Sequence, residues 1–247
     1  MKKIDMIEKM KGGLIVSCQF FEDEPIYTKD MAAIQAKSAQ WAGAVGIRAN
    51  SPEQIKQIKE VCTLPIIGLY KQWYKGSYVH VTPTMEHVDA IVEAGADIIA
   101  VDGTFEINQF GERGVDQIPK IKQKYPNIPI FADCSCVEEA EMAAQYGAEI
   151  VATSLYGYTS KTAHLEGANF RMLAEMCRKL KDKAYVIMEG HIMTPDDAMK
   201  AVFLGAHAVV VGGAINCSHL IAQRFVETLN KYQVEYNYRD EQMKNFK

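Results

Sequence analysis

Eight positions in the 247-residue chain place a chemically capable group within two residues after a short apolar run: Gln19, Arg48, Lys71, Asp102, Asp133, Thr153, Glu189 and the pair Gly212-Gly213. An amine and a carboxylate held together away from water shift each other's pKa, so Lys71 and Glu189 are candidates for general acid–base work. Arg48 and Gln19 offer donors to a developing oxyanion, and Asp133 offers an acceptor to a hydroxyl or to the lysine. Gly190 and Gly212-Gly213 leave backbone N–H groups unshielded by any side chain, which is the material of an anion cradle. Any one of these positions could be merely where a strand gives way to a polar loop. As a set they are harder to explain that way, because Arg, Lys, Asp and Glu all recur at equivalent places.

The elements that must position them are apolar runs at 14–17, 44–47, 66–69, 98–101, 130–132, 150–152, 185–188 and 208–211, with segments of helical period between most of them. The clearest unit is 184–215, AYVIMEGHIMTPDDAMKAVFLGAHAVVVGGAI. One strand reaches Met188; Thr194 then supplies an N-cap, Pro195 the first helical residue, and Asp196 and Asp197 acids for the first turn. The helix runs to Gly205, and a second apolar run ends in Gly212-Gly213. Parallel strands joined by a crossover helix imply a sheet covered by helices, and a run as apolar as VVV suits a strand buried on both faces. Gly-Ala recurs before strands at 43, 95, 147 and 205, where the glycine ends a helix, and Ser51-Pro52 and Thr84 mark further helix starts.

Eight such units predict an α/β chain, 1–247, forming a single-domain (β/α)8 TIM barrel rather than an open doubly wound sheet; no GxGxxG follows the first strand. Residues 230–247 are polar and aromatic and read as a C-terminal helix or tail. In a barrel the chemistry lies at the C-terminal strand ends, and phosphate binds after strands seven and eight. Gly190, Gly212 and Gly213 fall there; the competing reading is a pair of tight turns.

Net charge is −4 with no dense Lys/Arg stripe, which argues against a nucleic-acid partner. The six cysteines lack a paired CxxC pattern, Cys134-Ser135-Cys136 is isolated, and the six histidines show no ligand spacing. Reduced thiols in a cytosol and no metal site are therefore expected. Asp5, Glu8, Lys9 and Lys11 interrupt any leader before the lipoprotein-like Ile15-Val16-Ser17-Cys18, and no apolar run nears the ~20 residues of a membrane span. A cytoplasmic protein with no membrane partner is expected.

The motifs GGLIVSCQ, GIRANS, GLYK, TPT, ADCS, GYT, EG followed by TP, and VVVGGAI, spread from about Lys11 to about Phe225, resemble those of the N-acetylmannosamine-6-phosphate 2-epimerases among the ribulose-phosphate-binding barrels. The resemblance implies that the catalytic pair is Lys71 and Glu189. Substrate binding falls on Gln19, Arg48 and Asp133, to which the sixth strand end adds Thr153; the phosphate loops fall on Gly190, Gly212 and Gly213. It implies a phosphorylated amino sugar as partner, interconversion of N-acetylmannosamine 6-phosphate and N-acetylglucosamine 6-phosphate in sialic acid catabolism, no cofactor, and a homodimer.

The chain departs from that family at Trp73, where an aspartate is usual, at His191, where an arginine is usual, and at Asn216-Cys217-Ser218, where Thr-Arg-Pro is common. Arginine's bidentate fork is not replaced by Asn, Cys or neutral His, so the alternatives are a different phosphosugar on the same barrel or a non-catalytic phosphosugar binder. Retention of Lys71 and Glu189 speaks against the binder. Lys71 acts as a base only if its pKa falls; ion-paired with Glu189 it would keep its proton and serve as acid or electrostatic stabiliser. Trp73, Tyr74 and Tyr78 could form a lid over a sugar or anchor a loop.

Overall fold

The structure, a computed structural model, describes residues 3–244. Eight parallel strands close into a barrel in chain order: β1 Leu14–Cys18, β2 Gly46–Asn50, β3 Ile66–Leu69, β4 Ile98–Asp102, β5 Ile130–Asp133, β6 Ile150–Ala152, β7 Tyr185–Glu189 and β8 Ala208–Val211. Helices α1 Lys3–Glu8, α2 Met31–Trp41, α3 Pro52–Val61, α4 Met85–Glu93, α5 Gln117–Lys124, α6 Val137–Gln145, α7 Phe170–Lys179 and α8 Pro195–Phe203 precede or follow them, and α9 Gly213–Asn216 and α10 Ser218–Lys244 end the described chain.

The expected helix signals operate as local chemistry. Ser51, Thr84 and Thr194 each accept a backbone N–H from three residues on, and Asp197 completes a capping box with Thr194. After α4 the chain turns at Gly95, with φ +100°, and the Ala96 N–H donates to the Ile91 carbonyl, the six-residue closure that ends a helix on a left-handed residue. The other Gly-Ala pairs repeat it, with Ala44, Ala148 and Ala206 donating to Ala39, Ala143 and Ala201. At Gly68 the demand is for space: a Cβ there would lie 2.6 Å from that of Ala96.

The side chains divide by the two-residue period of a strand. One set, including Ile15, Ile67, Ile98, Phe131, Ile150, Ile187 and Val210, fills the barrel interior. The other, including Val16, Ile47, Ile66, Ile99, Val151 and Val209, packs under the helices. Strands buried on both faces are why the sequence shows continuous apolar runs and no alternation.

Four strands, β1, β4, β5 and β7, end one residue later than the apolar runs, and two segments differ more. The run at 44–47 anticipated β2 too early: the strand is Gly46–Asn50, with Arg48 inside it. A charged residue is tolerated mid-strand because it points into the barrel, where two carboxylates meet it. The terminal segment is part of a 27-residue helix that starts at Ser218; residues 245–247 lie outside the described ones.

Candidate active site

Interior positions advance along each strand in steps of two, and the same step carried past the apolar residues reaches Ser17 and Gln19, Arg48, Lys71, Asp102, Asp133, Ser154, Glu189 and Gly212. The polar groups of the sequence reading therefore form the top layer of the barrel interior. A cavity of about 600 Å³ opens above it. Gln19, Arg48, Lys71, Asp133, Glu189, Gly190, Gly212 and Gly213 all line that cavity.

Thr153 does not line it. Its side chain follows the outward period of β6 and is 2% exposed, and its hydroxyl accepts the Glu189 N–H at 3.1 Å and donates to the Glu189 carbonyl at 2.7 Å. Thr153 thus holds the end of β7, and with it the Glu189 carboxylate. Ser154, one residue on, faces the cavity and donates its hydroxyl to Asp133.

Arg48 is the hub. One arm of its guanidinium donates to Asp133 at 2.5 Å and another to Glu189, and the group lies 4.8 Å above the Phe131 ring. Burial would lower the arginine's pKa, but the two carboxylates outweigh it and hold the group above its ordinary value. Burial lifts Glu189 above the usual carboxylate range, against the pull of Arg48. Burial, helped by the Arg48 charge, depresses Lys71 below the ordinary lysine value, against Glu189 and Asp133. A lysine pushed down and a glutamic acid pushed up are brought toward proton exchange with each other and with a bound molecule.

Lys71 is placed by its backbone as much as by its side chain. Its N–H donates to Asn50 Oδ1 at 2.8 Å, it bridges Val81, and its Nζ lies 5.4 Å over the Phe21 ring. Gln19 donates to the Ser17 hydroxyl at 2.8 Å, and its carbonyl oxygen has no partner among the described residues. Across the cavity Gly190 turns at φ +99°, and His191 follows at φ +58°, its ring stacked on Tyr158 at 5.6 Å. Gly212 opens α9 and packs so close to β1 that a Cβ would sit 3.2 Å from that of Ser17. Asn216 turns inward and donates to the Ser17 carbonyl at 2.7 Å, pinning α9 to β1. Gln223 and Arg224 of α10 also line the cavity.

The aromatic residues after Lys71 do not line the cavity. Trp73 stacks on His80 at 5.5 Å, Tyr74 meets His87 edge-on at 6.5 Å and Tyr78 is 54% exposed, so this group anchors the 72–80 loop. Among the described residues no group of three or more His, Cys, Asp or Glu side chains is arranged to hold a metal ion, and no helix is long and apolar enough to cross a membrane.

Asp102 has the inward register yet lies off the cavity, 3% exposed beneath Gly114, whose Cβ would meet its Oδ1 at 2.5 Å. Thr104 donates to that oxygen twice, while Oδ2 has no partner among the described residues. Burial pushes the carboxyl up to about 7. A raised acid pKa means that the folded state holds the proton longer, so stability falls as pH rises from about 4, the ordinary aspartate value, to about 7. Asp102→Asn is expected to raise the thermal midpoint at pH 8 and to converge on the parent at pH 4; equal midpoints at pH 8 would refute the buried charge.

Register explains what strand-end reasoning missed. Counting in twos from Ile150 and Ala152 selects Ser154 over Thr153. Phe21, His80 and Arg224 follow no strand directly, and no period in the sequence points to them.

A family model described as "Putative N-acetylmannosamine-6-phosphate epimerase" matches residues 31–231. The chain is 44% identical over 224 residues, 91% of its length and 94% of the relative's, to a protein of Caldanaerobacter subterraneus subsp. tengcongensis named "Putative N-acetylmannosamine-6-phosphate 2-epimerase". A Listeria welshimeri protein of the same name is 39% identical over 226 residues, 91% of this chain and 95% of that one. Among solved structures, the N-acetylmannosamine-6-phosphate 2-epimerase from Clostridium perfringens superposes with a TM-score of 0.84 at 38% identity, covering 90% of this chain and 96% of that one.

Proposed function

The chain belongs to the N-acetylmannosamine-6-phosphate epimerase family, and from that membership we propose that it is an isomerase interconverting N-acetylmannosamine 6-phosphate and N-acetylglucosamine 6-phosphate without a cofactor. The observation that carries this reading is a depressed lysine and a raised glutamic acid lining one cavity, joined through Arg48 and Asp133.

Inversion at C2 requires loss of a hydrogen that is acidic only beside a carbonyl, so the ring must first open to the aldehyde. Neutral Lys71 removes the C2 proton, and the charge developing on the C1 oxygen is met by Arg48 and the Gln19 amide, contacts worth roughly 3 kcal/mol per preorganised donor. Glu189, whose pKa burial raises, returns a proton to the opposite face, and the reverse reaction exchanges the two roles. Asp133, oriented by Ser154, accepts a sugar hydroxyl and fixes the guanidinium. Backbone N–H groups of the loops at Gly190 and Gly212-Gly213 receive the phosphate, and Arg224 adds positive charge to the same cavity.

Turnover is expected with the 6-phosphate of N-acetylmannosamine and about a thousandfold weaker with the unphosphorylated sugar, since loss of a phosphate anchor removes several kcal/mol of binding. Product formation followed by NMR tests this; equal turnover of both sugars would remove the phosphate site. Turnover confined to another phosphosugar would favour the nearer alternative, a different epimerase on this barrel.

Sialic acid catabolism in the cytoplasm is the setting this substrate fits, and unpaired cysteines throughout the described chain suit a reducing compartment. Helix α10 exposes Phe225, Val226, Leu229 and Tyr232, each more than half exposed, which supports a homodimer using this face. A light-scattering mass of one chain at micromolar concentration would reject the dimer.

A further inference from the structure

Lys71 does nothing until the sugar ring opens, and ring opening needs a base at the hydroxyl on C1, the neighbour of the carbon that Lys71 attacks. Glu189 and Asp133 are poor choices, because Glu189 is committed to the proton at C2 and Asp133, fully buried, is held by Arg48 and Ser154. Other titratable side chains, Glu24 and His191 among them, also line this cavity; the one that a backbone pairing sets next to the Lys71 segment is His80.

Its position is set on three sides. Segments 70–72 and 80–82 pair antiparallel: Gln72 donates to the His80 carbonyl at 3.0 Å, Lys71 bridges Val81, and Thr82 donates to the Tyr70 carbonyl at 3.0 Å. The Trp73 indole stacks on the imidazole at 5.5 Å and 9°, fixing the ring plane. His80 Nδ1 lies 2.8 Å from the Tyr78 carbonyl oxygen. A carbonyl can only accept, so Nδ1 carries the hydrogen and the lone pair of the neutral ring is on Nε2. Among the described residues Nε2 has no hydrogen-bond partner, and the ring lines the cavity.

We propose that His80 is a catalytic base for ring opening, taking the proton of the C1 hydroxyl onto Nε2; this rests on the reading of the cavity as an amino-sugar phosphate 2-epimerase site. As the O–H bond breaks, its electron pair forms the C1–O double bond and the C1–O5 bond breaks with its pair on O5. A water molecule protonates O5, and the imidazolium returns its proton to the hydroxide left behind, so nothing is consumed. Burial holds the imidazole below the ordinary histidine value, with Lys71 and Arg48 adding to this and the Tyr78 carbonyl and Asp133 opposing it, so the base form is present at neutral pH.

The test compares His80→Gln and His80→Phe with the parent on two substrates in deuterated water. One is N-acetylmannosamine 6-phosphate; the other is its 4,5-dideoxy analogue, which has no hydroxyl from which a five- or six-membered ring can close. The expected result is about a hundredfold slower C2 exchange with the natural sugar, loss of the imidazole's acid limb from its kcat/KM profile, and exchange with the analogue close to that of the parent. Equal losses on both substrates would make His80 a structural residue and overturn the proposal, as would no loss on either. A parent protein inert on both would overturn the epimerase reading itself, and the proposal with it.

Discussion

Lys71→Ala is expected to slow exchange of the C2 hydrogen by about a thousandfold or more while leaving the fold intact. The side chain makes no ion pair within 4.0 Å among the described residues, so its loss leaves no carboxylate newly unpaired. Its chemistry has no substitute on its own face of C2, since Glu189 serves the opposite face, and a general base contributes typically 10² to 10⁴ in rate. Lys71→Arg is not expected to restore exchange, because guanidinium keeps its proton at any working pH. The pH dependence has a definite sign. Burial and Arg48 depress the lysine, so the neutral form appears at lower pH than for a free lysine, and kcat/KM climbs as pH rises through that value. Glu189 acts as an acid with a raised pKa, so loss of its proton opposes this rise and the kcat/KM profile is a bell. Exchange at parental rate in Lys71→Ala, with an unchanged circular-dichroism melt, would reject the lysine as the base.

Arg48→Met is expected to cost about 3–5 kcal/mol of folding stability, the loss seen when one partner of a buried ion pair is removed and the other charge remains. Here two carboxylates remain, Asp133 fully buried and Glu189 with a side chain 15% exposed. Without the arginine's positive charge the Glu189 pKa rises further, and a raised acid pKa gives stability that is lost as pH rises. The deficit is therefore larger at pH 8 than at pH 5, and denaturant midpoints at the two values check it. Arg48→Lys restores little, since one ammonium does not reproduce the fork that reaches both acids. A variant as stable as the parent at pH 8 would show that the two carboxylates share a proton and need no arginine.

The barrel was legible because its signals are local and repeated: apolar runs buried on both faces, Thr and Ser caps, and Gly-Ala closures at fixed places in each unit. The charged layer was legible through its types, since Arg, Lys, Asp and Glu rarely occupy a barrel mouth without partners. The errors share a physical origin. Thr153 and Ser154 are both polar and both follow β6, and only the parity of the strand says that Ser154 faces the cavity. Asp102 has the right parity, but the loop carrying Gly114 closes over it, a tertiary event with no local signature. Asn216, the first residue of the triplet that departs from Thr-Arg-Pro, is spent on the Ser17 carbonyl. His80 lies in a loop brought back to Lys71 by an antiparallel bridge, a pairing that no periodicity reports.

Incubating the protein with N-acetylmannosamine 6-phosphate in deuterated water and following C2 by NMR tests proton transfer most directly. The expected product is N-acetylglucosamine 6-phosphate carrying deuterium at C2, with deuterium also entering the remaining substrate. Epimer formed with its original hydrogen in place would contradict a proton abstracted by Lys71 and exchanged with solvent.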